Sequence, residues 1–171
     1  MTDMKKRTPV RTFLSYIDLS REYYAAHGYT KPYKWLSHQE VPFARLEKPL
    51  SECRVGLLTT ADLEKPSGDN KMERQCNRNV YAHPVAEVPG QFYTLDLQWD
   101  QDTTHTDDVD SFMPLNRLAE CAAAGIIASA SPRFYGVPTA YSSRRTITRD
   151  APKVLGWMQE DDVDLALLIP L

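Results

Sequence analysis

The densest run of potentially reactive side chains lies between Asp100 and Asp110, where Asp100, Asp102, His105, Asp107, Asp108 and Asp110 crowd one short segment. An imidazole among carboxylates can do two kinds of chemistry. It can join them in holding a divalent cation, with Asp102, His105, Asp107 and Asp108 as the donor set. It can also act as a catalytic acid or base tuned by its acidic neighbours, with His105 as the catalytic residue. The run departs from a calcium-binding helix-loop-helix, because His105 and Ser111 stand where that loop needs glycine and glutamate. The same residues equally suit a solvated acidic loop in which Asp110 supports the N-terminus of the next helix.

A second set is basic. Arg144, Arg145 and Arg149, with Arg133 upstream and Ser142, Ser143 and Thr146 interleaved, precede an expected helix and could hold a carboxylate or phosphate there. Arg144 and Arg145 are the candidate substrate-binding residues of this set; solvating a loop or pairing with the acidic segment is the alternative. Thr59 and Thr60 are further substrate-binding candidates, because they end an apolar strand, where ligands bind in open parallel sheets. Cys53, Cys76 and Cys121 lie far apart with no CxxC pair, which fits buried reduced thiols better than a disulfide framework or a zinc ribbon. His27, His38 and His83 are isolated and read as surface or capping residues; Trp35, Trp99 and Trp157 read as packing anchors.

These residues need elements to position them. Residues 11–27 carry Phe13, Tyr16, Ile17, Ser20 and Tyr24 at helical spacing, with Gly28 as a C-cap and Pro32 beyond it. From Tyr29 to Pro49, aromatics alternate with prolines, which suits a wrapping arm. Arg54 to Thr60 is a short continuous apolar run, the pattern of a strand buried on both faces. Residues 61–90 show turn residues and no periodicity, so they are expected to be loop. Gln91 to Leu97 alternates like a half-buried strand near a sheet edge. A helix is expected from Pro114 to Gly125 with Leu115, Leu118, Ala119 and Ala122 inward, then a short strand at Ile126 and Ile127. Asp150, Ala151 and Pro152 form a second helix start, followed by a buried stripe of Val154, Leu155 and Met158 and a strand over Val163 to Leu171. Helix, strand, loop, helix, strand in that order implies parallel strands joined by crossovers. The expected class is α/β: an open, mostly parallel sheet flanked by helices, with an N-terminal helix and an aromatic, proline-rich arm. The expected organisation is the helix and arm over residues 1–50 and the α/β domain over residues 51–171.

Composition narrows the function classes. With 20 Lys+Arg against 23 Asp+Glu the net charge is -3, which leaves no concentrated basic excess for nucleic acid. No apolar run follows the basic residues Lys5, Lys6 and Arg7, and none approaches membrane-spanning length, so a cytoplasmic location is expected. The strand over Val163 to Leu171 is expected to be interior, and no covering helix follows it in this sequence. The expectation is therefore that a partner chain supplies the cover, or that the product is a truncated form of something longer.

Several blocks, in order, are similar to the selenoprotein B family of glycine, sarcosine, betaine and D-proline reductases and their cysteine-containing bacterial relatives. They are Tyr16-Ile-Asp18, Gly28-Tyr29, Tyr33-Lys-Trp35, Lys48-Pro-Leu-Ser51, Val55-Gly-Leu-Leu-Thr-Thr60, His105 with Asp107 and Asp108, Phe112-Met-Pro-Leu-Asn-Arg-Leu118, Gly125-Ile126 and Val163-Asp-Leu-Ala-Leu-Leu-Ile169. The resemblance implies a subunit of a reductive carbon-nitrogen cleavage system acting on a small amino-acid-like substrate. In the family, a selenocysteine or cysteine attacks the substrate carbon, and a pyruvoyl-bearing partner activates the amine. That reactive residue follows the strand matching Val163 to Leu171, so here it is expected downstream or from a partner, and no other cofactor is evident. Two departures touch the pocket. The family's Gly-Gly is Thr60-Ala61-Asp62 here, and its Phe-Met-Gly is Tyr135-Gly136-Val137-Pro138. A non-catalytic scaffold subunit that completes its sheet with a partner is the second expectation, and a metal-dependent hydrolase centred on His105 the third.

Overall fold

Arg54-Val-Gly-Leu-Leu-Thr59 forms the strand on which the rest of the sheet is assembled, as its unbroken apolar run requires. In the computed structural model, which describes residues 15–31, 39–41, 44–65, 79–94, 107–139 and 142–170, this strand, β1 (Arg54–Thr59), is buried along most of its length. The chain divides into two compact units, residues 1–42 and 43–171.

The first unit contributes one described helix, α1 (Tyr16–Ala26). Ser15 caps it by accepting from the Asp18 amide at 3.3 Å, and Gly28 ends it with φ +84, a conformation that favours glycine. Tyr23 and Tyr24 are exposed, and the His27 Nδ1 lies 2.8 Å from the Tyr23 carbonyl, in the capping position expected for it.

The second unit holds a five-stranded sheet with β2 (Tyr81–Pro84), β3 (Ser129–Ala130), β4 (Arg133–Gly136) and β5 (Leu165–Ile169). β3, β4 and β5 all run parallel to β1, and β2 runs antiparallel to β4. Val55 faces both Ala130 and Leu165, and Leu58 faces both Tyr135 and Leu168. A strand has two edges, so β5 occupies one edge of β1 while β3 and β4 share the other, in its first and second halves. Ser131 and Pro132 sit between those two strands as a bulge.

Each face of the sheet carries one helical layer. Val55, Leu57 and Phe134 point to the face covered by Phe92, Phe112, Met113 and α2 (Leu115–Ala123), whose Leu118 is buried. Leu58, Tyr135 and Ala166 meet Val154 and Met158 on the other face. These belong to a helical rod made of a turn, Ser143–Arg145, a π-helical segment, Thr146–Asp150, and α3 (Ala151–Glu160). The fold is α/β, mostly parallel, with helices around the sheet.

Several local expectations shift. The proline-rich stretch 61–90 contains β2, and β4 falls where only a connection was expected. The segment Gln91 to Leu97 shows one isolated bridge, Tyr93 to Asp62, among its described residues. The strand expected at Ile126 and Ile127 forms three residues later, because Gly125 (φ +71) turns the chain and leaves Ile126 exposed while Ile127 packs inward. The helix expected after Asp150 runs over Ala151–Glu160, but it continues helical turns that begin after Ser142, whose hydroxyl accepts from the Arg145 amide at 3.3 Å. Leu155 is 56 % exposed and Ala119 is exposed, because each lies a quarter-turn off the stripe that faces the sheet. Among the described residues β5 pairs with β1 alone, so it is an edge strand instead of the interior one expected.

Candidate functional site at the carboxyl ends of β1 and β4

Just beyond β1, Ala61 and Leu63 pack on the face that α2 covers, with β2 and then α2 following in sequence, and the chain beyond β4 enters the rod on the other face. Adjacent parallel strands whose outgoing chains part in this way open a crevice beyond their carboxyl ends, the place where open α/β sheets bind ligands. Here that place lies between Thr59-Thr60-Ala61-Asp62 and Gly136-Val137-Pro138, of which Thr60 and Val137 are half-buried and the rest buried. The two strand ends are tied together by the Val137 amide donating to the Thr59 carbonyl at 2.8 Å.

Thr59 and Thr60, both expected here, are brought to this point but differ in role. Thr59 is fully buried, and its hydroxyl accepts from the Ala61 amide at 3.2 Å, so it shapes the turn out of β1. Thr60 is half-buried and stands at the mouth of the turn. Asp62 follows, nearly buried, its backbone fixed by reciprocal bonds with Tyr93 at 2.7 and 2.9 Å.

Sequence reasoning missed Tyr81. It reaches from β2 across Gly136 to donate its hydroxyl to the Ala61 carbonyl at 2.8 Å. Its ring lies so close to Gly136 that a Cβ there would stand 2.0 Å from Cε1 and Cζ. Burial, and then the charge of Asp62, push the Tyr81 hydroxyl above its ordinary titration, so it serves as a fixed neutral donor. The signal for this contact was the glycine of Tyr135-Gly136, a position where backbone meets another group closely.

The rod delivers Arg144 and Arg145 to the same side of the sheet, because it starts after β4 and runs back toward the start of β5. Arg144 is exposed. The Arg145 Nε donates to Asp150 Oδ2 at 3.0 Å, and Arg149 Nε donates to Asp150 Oδ1 at 2.9 Å. Asp150 is 1 % exposed.

Arg133 does not join them. It begins β4, at the opposite end of the strand, and makes a two-pronged bond to Asp161 at 2.7 and 3.0 Å with a further bond to Glu160 at 3.1 Å. The hydrogen bond it donates to Asp161 holds the guanidinium protonated well above its usual range, against the opposing effect of burial.

His105 and Asp102 lie outside the described residues. Asp108 accepts from the Asp110 amide at 3.1 Å, and Asp110 accepts from the Asn116 amide at 2.8 Å and from Arg117 Nε at 3.1 Å. These carboxylates therefore organise the start of α2, the alternative weighed for them, and Asp107 is exposed beside them. Among the described residues no group of three or more His, Cys, Asp or Glu side chains could hold a metal ion. Cys53 is buried, as expected, with its thiol 3.4 Å from the Pro49 carbonyl; Cys121 is only half-buried; both are free thiols, and Cys76 lies outside the described residues. No described helix is long and apolar enough to cross a membrane.

Comparison with known proteins returned no family model, no curated protein and no solved structure that matches the chain.

Proposed function

We propose that residues 43–171 form an amino-acid reductase-like domain, related to selenoprotein B of the glycine and D-proline reductases. In this reading a small amino acid is received in the crevice between β1 and β4, in a cytoplasmic setting. What supports it is that Thr60, the close approach of Tyr81 to Gly136 and the turn bearing Arg144 and Arg145 all lie at or follow the carboxyl ends of β1 and β4, the end at which open α/β sheets bind ligands. An arginine fork suits the substrate carboxylate, and the threonine hydroxyl suits its polar edge. The reductive step requires a thiolate or selenolate to bond to the substrate carbon as the carbon-nitrogen bond breaks and the amine leaves with a proton. In this reading that nucleophile comes from downstream or from a partner, because none of Cys53, Cys76 and Cys121 sits at the position that matches the family's reactive residue. His105 remains the candidate acid for the departing amine.

The test is calorimetric titration of the purified chain with glycine, sarcosine, betaine and D-proline. Saturable binding of at least one, weakened about tenfold by Arg145→Lys, supports the reading. Binding of none of the four sinks it.

A second reading, a non-catalytic scaffold subunit that forms an oligomer or completes its sheet with a partner, rests on a different observation. Leu167 and Leu168 on the edge strand β5 are 41 % and 69 % exposed. Sedimentation of the chain, alone and with its genomic neighbours, distinguishes it: a monomer that gains no partner removes the case.

A further inference from the structure

We infer that the free edge of β5 is the seam of a two-fold dimer, in which a second copy of this chain adds its own β5 antiparallel about Leu167. The inference rests on the scaffold reading above and names the partner that completes the sheet.

The backbone fixes which residues of β5 can be shared. The Val55 and Thr59 carbonyls accept from the Ser131 and Val137 amides, each at 2.8 Å, so the odd-numbered residues of β1 turn toward β3 and β4. The even-numbered ones turn toward β5, as the Arg54 amide does in donating to Asp164 Oδ2 at 2.8 Å. In a parallel ladder a residue bonds to the two neighbours of the residue opposite it. Gly56 lies opposite Ala166 and Leu58 opposite Leu168, so β5 bonds back through Leu165, Leu167 and Ile169. Ala166 and Leu168 direct their amides and carbonyls to the other edge, which no strand covers among the described residues.

A two-fold axis at Leu167 sets Ala166 opposite the partner's Leu168, and Leu168 opposite the partner's Ala166. Each pair exchanges two N–H···O bonds, so every one of those edge groups is satisfied. Neighbouring registers do worse. Centring on Ala166 would set the Leu168 carbonyl against the Asp164 amide, already given to the Arg54 carbonyl at 3.0 Å. Centring on Leu168 would set the Ala166 carbonyl against Pro170, which has no N–H. The side chains favour the same register. Leu165 and Ile169 pack on the α2 face and Ala166 on the rod face, so by alternation the exposed Leu167 and Leu168 lie on opposite faces. Leu168 then rests beside a small alanine, and Leu167 against its own counterpart.

Charge selects the polarity. Leu165–Ile169 carries none of the charged residues or prolines that keep free edges apart. Asp161, Asp162 and Asp164 all precede the strand, so antiparallel addition holds the two acidic sets at opposite ends of the seam, where parallel addition would align them.

The experiment is sedimentation equilibrium of the purified chain over about 1–500 µM, because so short a seam holds in the weak range. A monomer-dimer equilibrium is expected. Leu168→Lys, at an exposed position, should raise the dissociation constant at least about tenfold while the circular dichroism stays that of wild type. Leu155→Lys, which alters an exposed leucine of the rod, should leave it within about twofold. A second readout is covalent. Leu167 meets its counterpart in a pair without hydrogen bonds, the Cα atoms about 4.5 Å apart, a span that a disulfide bridges. In air, Leu167→Cys should cross-link into a dimer above the background that Cys53, Cys76 and Cys121 give in wild type, and Leu168→Cys should not. A dimer indifferent to Leu168→Lys, or cross-linking at position 168 in preference to 167, overturns the β5 seam and leaves the scaffold reading standing. A chain that stays monomeric yet binds a genomic neighbour does the same. A monomer that binds neither removes both together.

Discussion

The two ends of the parallel sheet carry the same kinds of side chain and use them differently. At the amino end, Arg133 and Tyr135 converge on Asp161, with the tyrosine hydroxyl donating at 2.6 Å. Arg54 donates to the Asp161 carbonyl at 2.7 Å, and Lys48 pairs with Asp164 at 2.8 Å. These partners come from the strands, the C-terminus of α3 and the approach to β1, so they lock the second layer of helix onto the sheet. At the carboxyl end, the polar groups sit on turns that diverge to opposite faces, and the arginine there is braced by a carboxylate of its own rod. An arginine-aspartate pair that spans elements holds a fold. One confined to a single turn, such as Arg145 with Asp150, braces that turn alone.

The sharpest way to break this contrast is at the carboxyl end, where shape alone is at stake. Gly136→Ala would drive a methyl group into the Tyr81 ring and should cost about 3 kcal/mol in urea denaturation. Combining it with Tyr81→Ala should restore part of that loss, and a double variant no more stable than Gly136→Ala alone would show that the close approach is not the cause.

Asp161→Asn comes next, at the amino end, and should cost about 2 kcal/mol by removing the charge that Arg133 and Tyr135 share. It also has a pH signature. Burial pushes the Asp161 carboxyl upward, but the hydrogen bonds from Arg133 and Tyr135 outweigh it and leave the group below its ordinary value. A carboxyl held low in the folded state contributes stability that is present above the ordinary value and is lost as pH falls through the folded one. Wild type should therefore lose stability below about pH 4, and Asp161→Asn should show a shallower loss over the same range. Any amino-acid binding at the proposed site should be unaffected by this change, because that site belongs to the other end of the sheet.

The smallest effect belongs to the surface. Arg117, bonded to Asp110 and Glu120 but largely exposed, should tolerate replacement by alanine within about 0.5 kcal/mol.

What the sequence made legible follows from how each element earns its stability. β1 was readable because a strand buried on both faces has to be apolar throughout, and α2 because Leu115, Leu118 and Ala122 recur at helical spacing before a glycine. β2 and β4 were not, since four residues each, one set ending in Pro84 and the other holding two adjacent aromatics, give no alternation to detect. Their identity is settled by pairing partners distant in sequence: Tyr135 opposite Leu58, and His83 opposite Phe134. Thr59 and Thr60 could be named because a strand end is visible in sequence. Tyr81 and Asp150 could not, because one depends on a cross-strand approach to glycine and the other on a helical turn of unusual width.

The bulge between β3 and β4 has a consequence for how the gene tolerates length changes. Val55 faces Ala130 and Leu58 faces Tyr135, so three steps along β1 correspond to five along its neighbour. The surplus is even, and an even surplus leaves the inside-outside alternation intact: Phe134 stays in one layer and Tyr135 in the other. Losing a single codon at Ser131 or Pro132 would exchange those two rings between layers, setting a phenolic hydroxyl among Phe92 and Phe112 and a bare phenyl ring against Asp161. Losing both codons together would keep every ring on its own side.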